Sequence, residues 1–125
     1  MSTEQCARVL VVDDNEVVRR ALKGVIAHDE ELLVVGEASS GTSALESIKA
    51  LQPDLVCLDI VLPGVDGLTV LRQVRQEYPA MRVVLITGQA TADVVAQARE
   101  LGAHGFVVKP FNADKVLKSI HAALG

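Results

Sequence analysis

The chain has 125 residues, enough for one domain with a buried core and too few for two. Its formal net charge of −4, with acids and bases interspersed, argues against the basic face that direct nucleic-acid binding requires. No stretch has the uninterrupted apolar length of a membrane span, and Met1-Ser2-Thr3-Glu4-Gln5 has no signal-peptide character, so a cytoplasmic protein without a membrane partner is expected.

Half the residues are hydrophobic, yet only Tyr78, Phe106 and Phe111 are aromatic, so the core must be aliphatic. Cys6 and Cys57 lack metal-ligand spacing, and Cys57 lies inside an apolar run as a small core side chain.

The first apolar run, Val9–Val12, leads into Asp13-Asp14-Asn15. A helix follows, with Val17, Val18, Ala21, Leu22, Val25 and Ile26 as its stripe and Arg19, Arg20 and Lys23 opposite. Asn15 or Asp14 caps it. The second run is Leu32–Val35, followed by a helix opened by Gly41-Thr42-Ser43 and striped by Ala44, Leu45, Ile48 and Leu51. Pro53 and Asp54 break the chain before the third run, Leu55–Leu58, which ends at Asp59. Gly64 and Gly67 flank a tight loop before a helix carrying Leu68, Leu71 and Val74. The fourth run, Val83–Ile86, ends at Thr87, and Val95, Ala98 and Leu101 stripe the next helix. Gly102 and Gly105 bracket the turn into Phe106–Val108, which ends at Lys109-Pro110. Val116, Leu117, Ile120 and Leu124 mark the last helix.

The apolar runs are valine-rich and do not alternate with polar residues, as strands covered on both faces require. Five such strands alternating with five helices predict an α/β, doubly wound, five-stranded parallel sheet of order 2-1-3-4-5. The expected domain covers residues 7–125, with 1–6 as an N-terminal extension and no effector domain in this chain.

In a parallel sheet the polar residues that follow each strand share one edge, and ligands bind in the crevice where strand order reverses. Here the crevice lies between strands 1 and 3, flanked by Asp13 and Asp14 on one side and Asp59 on the other, with Thr87 and Lys109 alongside. Gly36 and Glu37, after strand 2, are left outside the site. Taken singly, each residue has an ordinary explanation: a helix cap for Asp13-Asp14, a turn for Asp59, a strand-end hydroxyl for Thr87, a solvated Lys109. Together they form three carboxylates that need a cation. Magnesium suits an open all-oxygen site, and one lysine beside it makes a pocket for a phosphoryl group.

Val11-Val12-Asp13-Asp14-Asn15, Asp59-Ile60-Val61-Leu62-Pro63-Gly64-Val65-Asp66-Gly67, Leu85-Ile86-Thr87-Gly88 and Val107-Val108-Lys109-Pro110-Phe111 carry a resemblance over essentially the whole chain. In this order and spacing they are similar to the receiver domain of two-component response regulators, in particular the stand-alone, chemotaxis-regulator-like kind with a flavodoxin-like fold. The resemblance implies that Asp59 is the phospho-acceptor. Asp14 would bind magnesium directly, Asp13 through water and Val61 through its backbone carbonyl, with Asp59 also among the metal ligands. It further implies that Lys109 pairs with the phosphoryl group, that Thr87 hydrogen-bonds to it, and that the Lys109–Pro110 peptide is cis. Phe106 stands at the aromatic switch position, without the hydroxyl of the tyrosine often found there. Its plain reading is a core aromatic. Leu62 and Val65 replace frequent methionines, while Val61 and Gln89 lie where the family tunes phosphoryl lifetime.

The implied donor is a sensor histidine kinase or histidine phosphotransfer protein, and the implied output surface is helix 4, strand 5 and helix 5, acting on a downstream protein target or as a homodimer face. Apart from its own phosphorylation and dephosphorylation, no enzyme activity is expected. A magnesium-dependent phosphatase would need a second carboxylate two residues after Asp59, where Val61 stands. A nucleotide or flavin site would need a glycine-rich cradle after strand 1 in place of acids. A phosphate-independent interaction module is disfavoured by the complete acidic set.

Overall fold

The computed structural model describes residues 6–125. Of the expected N-terminal extension, residues 1–5 therefore lie outside the described residues.

The elements run β1 (Ala7–Val12), α1 (Glu16–Ala27), β2 (Leu32–Ala38), α2 (Gly41–Leu51), β3 (Leu55–Leu58), α3 (Gly67–Glu77), β4 (Arg82–Thr87), α4 (Ala92–Glu100), β5 (Gly105–Val108) and α5 (Ala113–Leu124). All neighbouring strands pair in parallel, in the order β2-β1-β3-β4-β5. The expected alternation and strand order are both present. Several strands are longer than their apolar runs: β2 continues through Gly36 and Glu37 to Ala38, and Gly105 opens β5 instead of closing the turn before it.

Successive strand side chains point to opposite faces, and each face is apolar. Leu10, Val12, Val56, Leu58, Val83 and Leu85 pack under Ala44, Ile48, Val70, Leu71, Val74 and Ala98 of α2, α3 and α4. Val9, Val11, Leu55, Cys57, Val84, Ile86 and Val107 pack under Leu22 and Ile26 of α1 and Val116, Ile120 and Ala123 of α5. Removing a side chain such as Leu58 or Leu85, both fully buried, would cost about 2–5 kcal/mol. Burial also pushes the Cys57 thiol up to about 12, so it is an inert core group.

Capping fixes where the helices start. Asn15 accepts the backbone N–H groups of Val17 and Val18, which resolves the choice between Asn15 and Asp14 in favour of Asn15. Ser40 and Ser43 form a reciprocal capping box at α2, and Asp66, Thr91 and Asn112 cap α3, α4 and α5. The α1 stripe is narrower than its sequence suggests. Leu22 and Ile26 are buried, but Val17 is 72% exposed. Among the described residues no helix is long and apolar enough to cross a membrane.

Candidate functional site

The strand ends bring Asp13, Asp14 and Asp59 together: one carboxylate oxygen from each lies within 4.8 Å of the others. Asp13 and Asp59 are nearly inaccessible, whereas Asp14 faces solvent. Lys109 reaches them from the end of β5, its Nζ 2.6 Å from Asp13 Oδ2 and 2.9 Å from Asp59 Oδ2. A residue 96 positions from Asp13 thus neutralises part of the acidic cluster.

Asp13 is fixed at every polar atom. Its N–H donates to the Ala38 carbonyl, its Oδ1 accepts the Asn15 N–H at 2.9 Å, and its carbonyl accepts from Arg19 Nη1 at 2.8 Å. Burial pushes its carboxyl above the ordinary carboxylate range. The Lys109 ammonium and the Asn15 N–H oppose that shift without cancelling it, and the Asp59 charge reinforces it. For Lys109, burial works to lower the ammonium, but the bonds to Asp13 and Asp59 outweigh it and hold the pKa above its usual value.

Asp59 is held by backbone. Its N–H donates to the Val12 carbonyl at 3.0 Å, and its Oδ1 accepts the Val61 N–H at 3.2 Å. The first residue of α3 closes on it: the Gly67 N–H donates to Ile60, and a Cβ at Gly67 would lie 2.1 Å from the Asp59 carbonyl oxygen. Only glycine permits that approach. Gly64, at φ +75°, turns the same loop, where Leu62 is buried and Val65 packs against the core in the places of the frequent methionines.

Thr87 is fully buried at the end of β4. Its Oγ1 accepts the Gln89 N–H at 3.2 Å, and its carbonyl accepts the Lys109 N–H at 2.9 Å. The Lys109–Pro110 peptide is cis. Phe106 lies farther away, half-buried against the α2–α4 side of the core. Cavities of about 240 and 360 Å³ lie on its two sides, the first lined with Val95, Ala98 and Arg99, the second with Val108, Lys115 and Lys118. Val61 presents its side chain to solvent beside the acidic cluster.

Sequence reading missed two residues next to the site. Arg19, expected on the outer side of α1, turns back to the Asp13 carbonyl, and Glu37, expected outside the site, receives Arg19 Nε at 2.9 Å and also pairs with Lys23. Lys23 and then Arg19 hold the Glu37 carboxyl below its usual range. The available signal was position: Glu37 lies one residue from the end of β2, the strand adjacent to the one that leads into Asp13.

The donor set is all oxygen and open on one side, through Asp14 and the exposed Val61 and Gly88. It fits a hard divalent cation that retains water, such as magnesium, and offers no soft ligand.

The sequence matches the family described as response regulator receiver domain over residues 9–121. It is 37% identical to the chemotaxis protein CheY of Bacillus subtilis over 94% of this chain and 97% of that one. It is 33% identical to the nitrate/nitrite response regulator NarL of Escherichia coli over 98% of this chain, which spans 57% of that longer protein. Among solved structures, the signal receiver domain of a NarL from Mycobacterium tuberculosis is 36% identical with a TM-score of 0.89, covering 97% of this chain and 98% of that one. The CheX–CheY–BeF3–magnesium complex from Borrelia burgdorferi gives 28% identity and a TM-score of 0.90, over 95% of this chain and 90% of that one. With a parallel sheet of order 2-1-3-4-5 and an acidic cluster at its switch point, this chain belongs to the response regulator receiver domain family of two-component signalling.

Proposed function

We propose that Asp59 is the residue that accepts the phosphoryl group, with Asp13, Asp14 and the Val61 backbone carbonyl as the magnesium site and Lys109 and Thr87 as the groups that receive the phosphoryl oxygens. The observation that carries this reading is the meeting of three carboxylates and one ammonium from three separate strand ends, those of β1, β3 and β5. The BeF3 and magnesium named in the Borrelia complex support it.

Bound magnesium would offset the repulsion between the carboxylates and the incoming phosphoryl oxygens. Asp59 attacks phosphorus through a carboxylate oxygen, the bond from phosphorus to the donor's imidazole nitrogen breaks, and an acyl phosphate forms. The carboxylate needs no base, and the residues that follow it, Ile60 and Val61, supply none. Lys109 exchanges its contact with Asp59 for the new phosphoryl oxygens. Thr87 now uses its hydroxyl oxygen to accept the Gln89 N–H, so its proton is available to donate to a phosphoryl oxygen. Hydrolysis of the acyl phosphate at the same site resets the domain.

Movement of Thr87 toward Asp59 frees space at the end of β4, and the cavities flanking Phe106 give the ring room to follow. Phosphorylation thereby biases an equilibrium between two arrangements of the α4–β5–α5 face, which controls a downstream protein or a homodimer contact. A sensor histidine kinase or histidine phosphotransfer protein in the cytoplasm is the donor that suits this chemistry.

Incubation with magnesium and a small acyl phosphate should add one phosphoryl group by intact mass, and none in Asp59→Asn or in the presence of a chelator. Addition that persists in Asp59→Asn removes the assignment.

A further inference from the structure

A charged layer from α1 and β2, formed by Arg19, Lys23 and Glu37, lies beside the acidic cluster. Arg19 is a surface-helix residue by sequence, yet its side chain is only 15% exposed, because its guanidinium spans two groups. Nη1 donates to the Asp13 carbonyl at 2.8 Å, and Nε donates to Glu37 Oε1 at 2.9 Å. Glu37 is in turn shared with Lys23, one helical turn further along α1.

The Asp13 carbonyl belongs to the planar peptide that joins Asp13 to Asp14. Fixing that oxygen fixes the plane from which the Asp14 side chain projects. Asp14 has no other restraint of this kind: it is solvent-exposed and, among the described residues, has no ion-pair partner within 4.0 Å, unlike Asp13 and Asp59. Repulsion from its two neighbours would turn it away from the cluster.

We propose that Arg19, anchored by Glu37, is a positioning residue that holds the Asp13–Asp14 peptide so that Asp14 faces the metal site. The proposal rests on the magnesium reading of the site. A guanidinium suits the task because its rigid fork donates in two directions at once, whereas a lysine ammonium is a point charge on a flexible stem. Glu37 offsets the positive charge that Arg19 brings near a cation site.

Two effects of opposite sign separate this role from simple electrostatics. Removing a cation from the neighbourhood would tighten magnesium binding, whereas losing the positioning fork would weaken it. The test is a magnesium titration of the full chain by calorimetry, checked by amide chemical shifts, for wild type, Arg19→Lys, Arg19→Met and Glu37→Gln, well below each protein's melting temperature. Both Arg19 variants should lose affinity on the order of tenfold, the usual consequence of removing a group that orients a metal ligand. Glu37→Gln, which keeps the guanidinium but weakens its anchor, should lose less. At saturating magnesium the rate of phosphorylation by a small acyl phosphate should return close to wild type.

A wild-type affinity in Arg19→Lys, or tighter binding in Arg19→Met, overturns the proposal in favour of a purely electrostatic role. Lower melting temperatures with unchanged magnesium affinity overturn it in favour of a purely structural one. If wild type itself ignores magnesium, the magnesium reading fails first, and the proposal fails with it.

Discussion

Replacing Asp14 with Asn should make the protein more stable without magnesium and less stable with it. One oxygen of Asp14 lies within 4.8 Å of carboxylate oxygens of both Asp13 and Asp59, while the single ammonium, Lys109, pairs with those two and not with Asp14. Asp14 therefore faces a net neighbouring charge of about −1. At that separation the repulsion ranges from about 0.9 kcal/mol at the dielectric of water to about 3.5 kcal/mol at an effective value of 20. Asp14 is exposed, so the lower end applies, roughly 1–1.5 kcal/mol. The substitution also gives up a carboxylate near the start of α1, worth about 0.3–1 kcal/mol against the helix dipole. The net gain is centred on about 0.6 kcal/mol, or roughly 2–3 °C for a chain of this length. Thermal unfolding in chelator at low salt measures it. Added magnesium should then reverse the order, because wild type gains about 2.7 kcal/mol at a concentration a hundredfold above its dissociation constant and the variant gains little. If Asp14→Asn is no more stable than wild type in chelator, or keeps the full magnesium response, the three carboxylates are not in electrostatic conflict and the basis for a cation site falls away.

His104 predicts a pH effect far from the acidic cluster. Its backbone N–H donates to the Val83 carbonyl, and its ring Nδ1 accepts the Val83 backbone N–H at 3.1 Å, so the imidazole serves as an acceptor beside the β4–β5 ladder. Burial first, then the charges of Arg75 and Arg82, lowers its pKa from the ordinary 6.5, so the unfolded chain takes up the proton first. Stability is complete above 6.5 and falls as the pH drops toward the folded value. His104→Asn keeps the acceptor and should flatten this dependence in urea unfolding between neutral and mildly acid pH; an unchanged slope would show that His104 is not its source. Gly67→Ala would place a methyl group 2.1 Å from the Asp59 carbonyl, so it should cost on the order of 3 kcal/mol and slow phosphorylation of Asp59. A loss below about 0.5 kcal/mol in urea would mean that α3 is not seated against the acceptor loop as described.

The fold was readable because its strands are buried on both faces. Val9–Val12 and Leu55–Leu58 are runs that no half-exposed strand would tolerate, and β3 coincides with its run because Asp54 and Asp59 bound it. Element ends were less legible where the ladder continues beyond the apolar residues, as at Glu37 and Gly105. The clustered residues were legible because Asp13, Asp14, Asp59 and Lys109 follow strands and Thr87 ends one, so topology placed them at one edge. Arg19 was not. A helical stripe divides residues by hydrophobicity, and a long charged side chain can leave the outer face by lying along the surface to a backbone carbonyl, which no periodicity records. Val17 shows the converse, an apolar residue in the stripe that the helix leaves in solvent.

The two sides of the crevice are fixed by different means, and this bears on how the site works. Asp59 ends a strand with no solvent-exposed residue, its N–H is bonded to Val12, and Gly67 closes on its carbonyl without room for a methyl group. Moving it means moving β3 and α3 together, so the proposed acceptor is a rigid point. Asp14 sits on a turn held by one guanidinium and one cap, and the Lys109 ammonium is bonded, among the described residues, to Asp13 and Asp59 alone. The cation side and the lysine can therefore rearrange around an acceptor that cannot. Thr87 belongs to the adjustable side, because its hydroxyl proton is uncommitted, and its carbonyl is bonded to the Lys109 N–H. A change at Lys109 and a change at Thr87 thus share one backbone link, leading from the rigid acceptor toward Phe106 and the face beyond it.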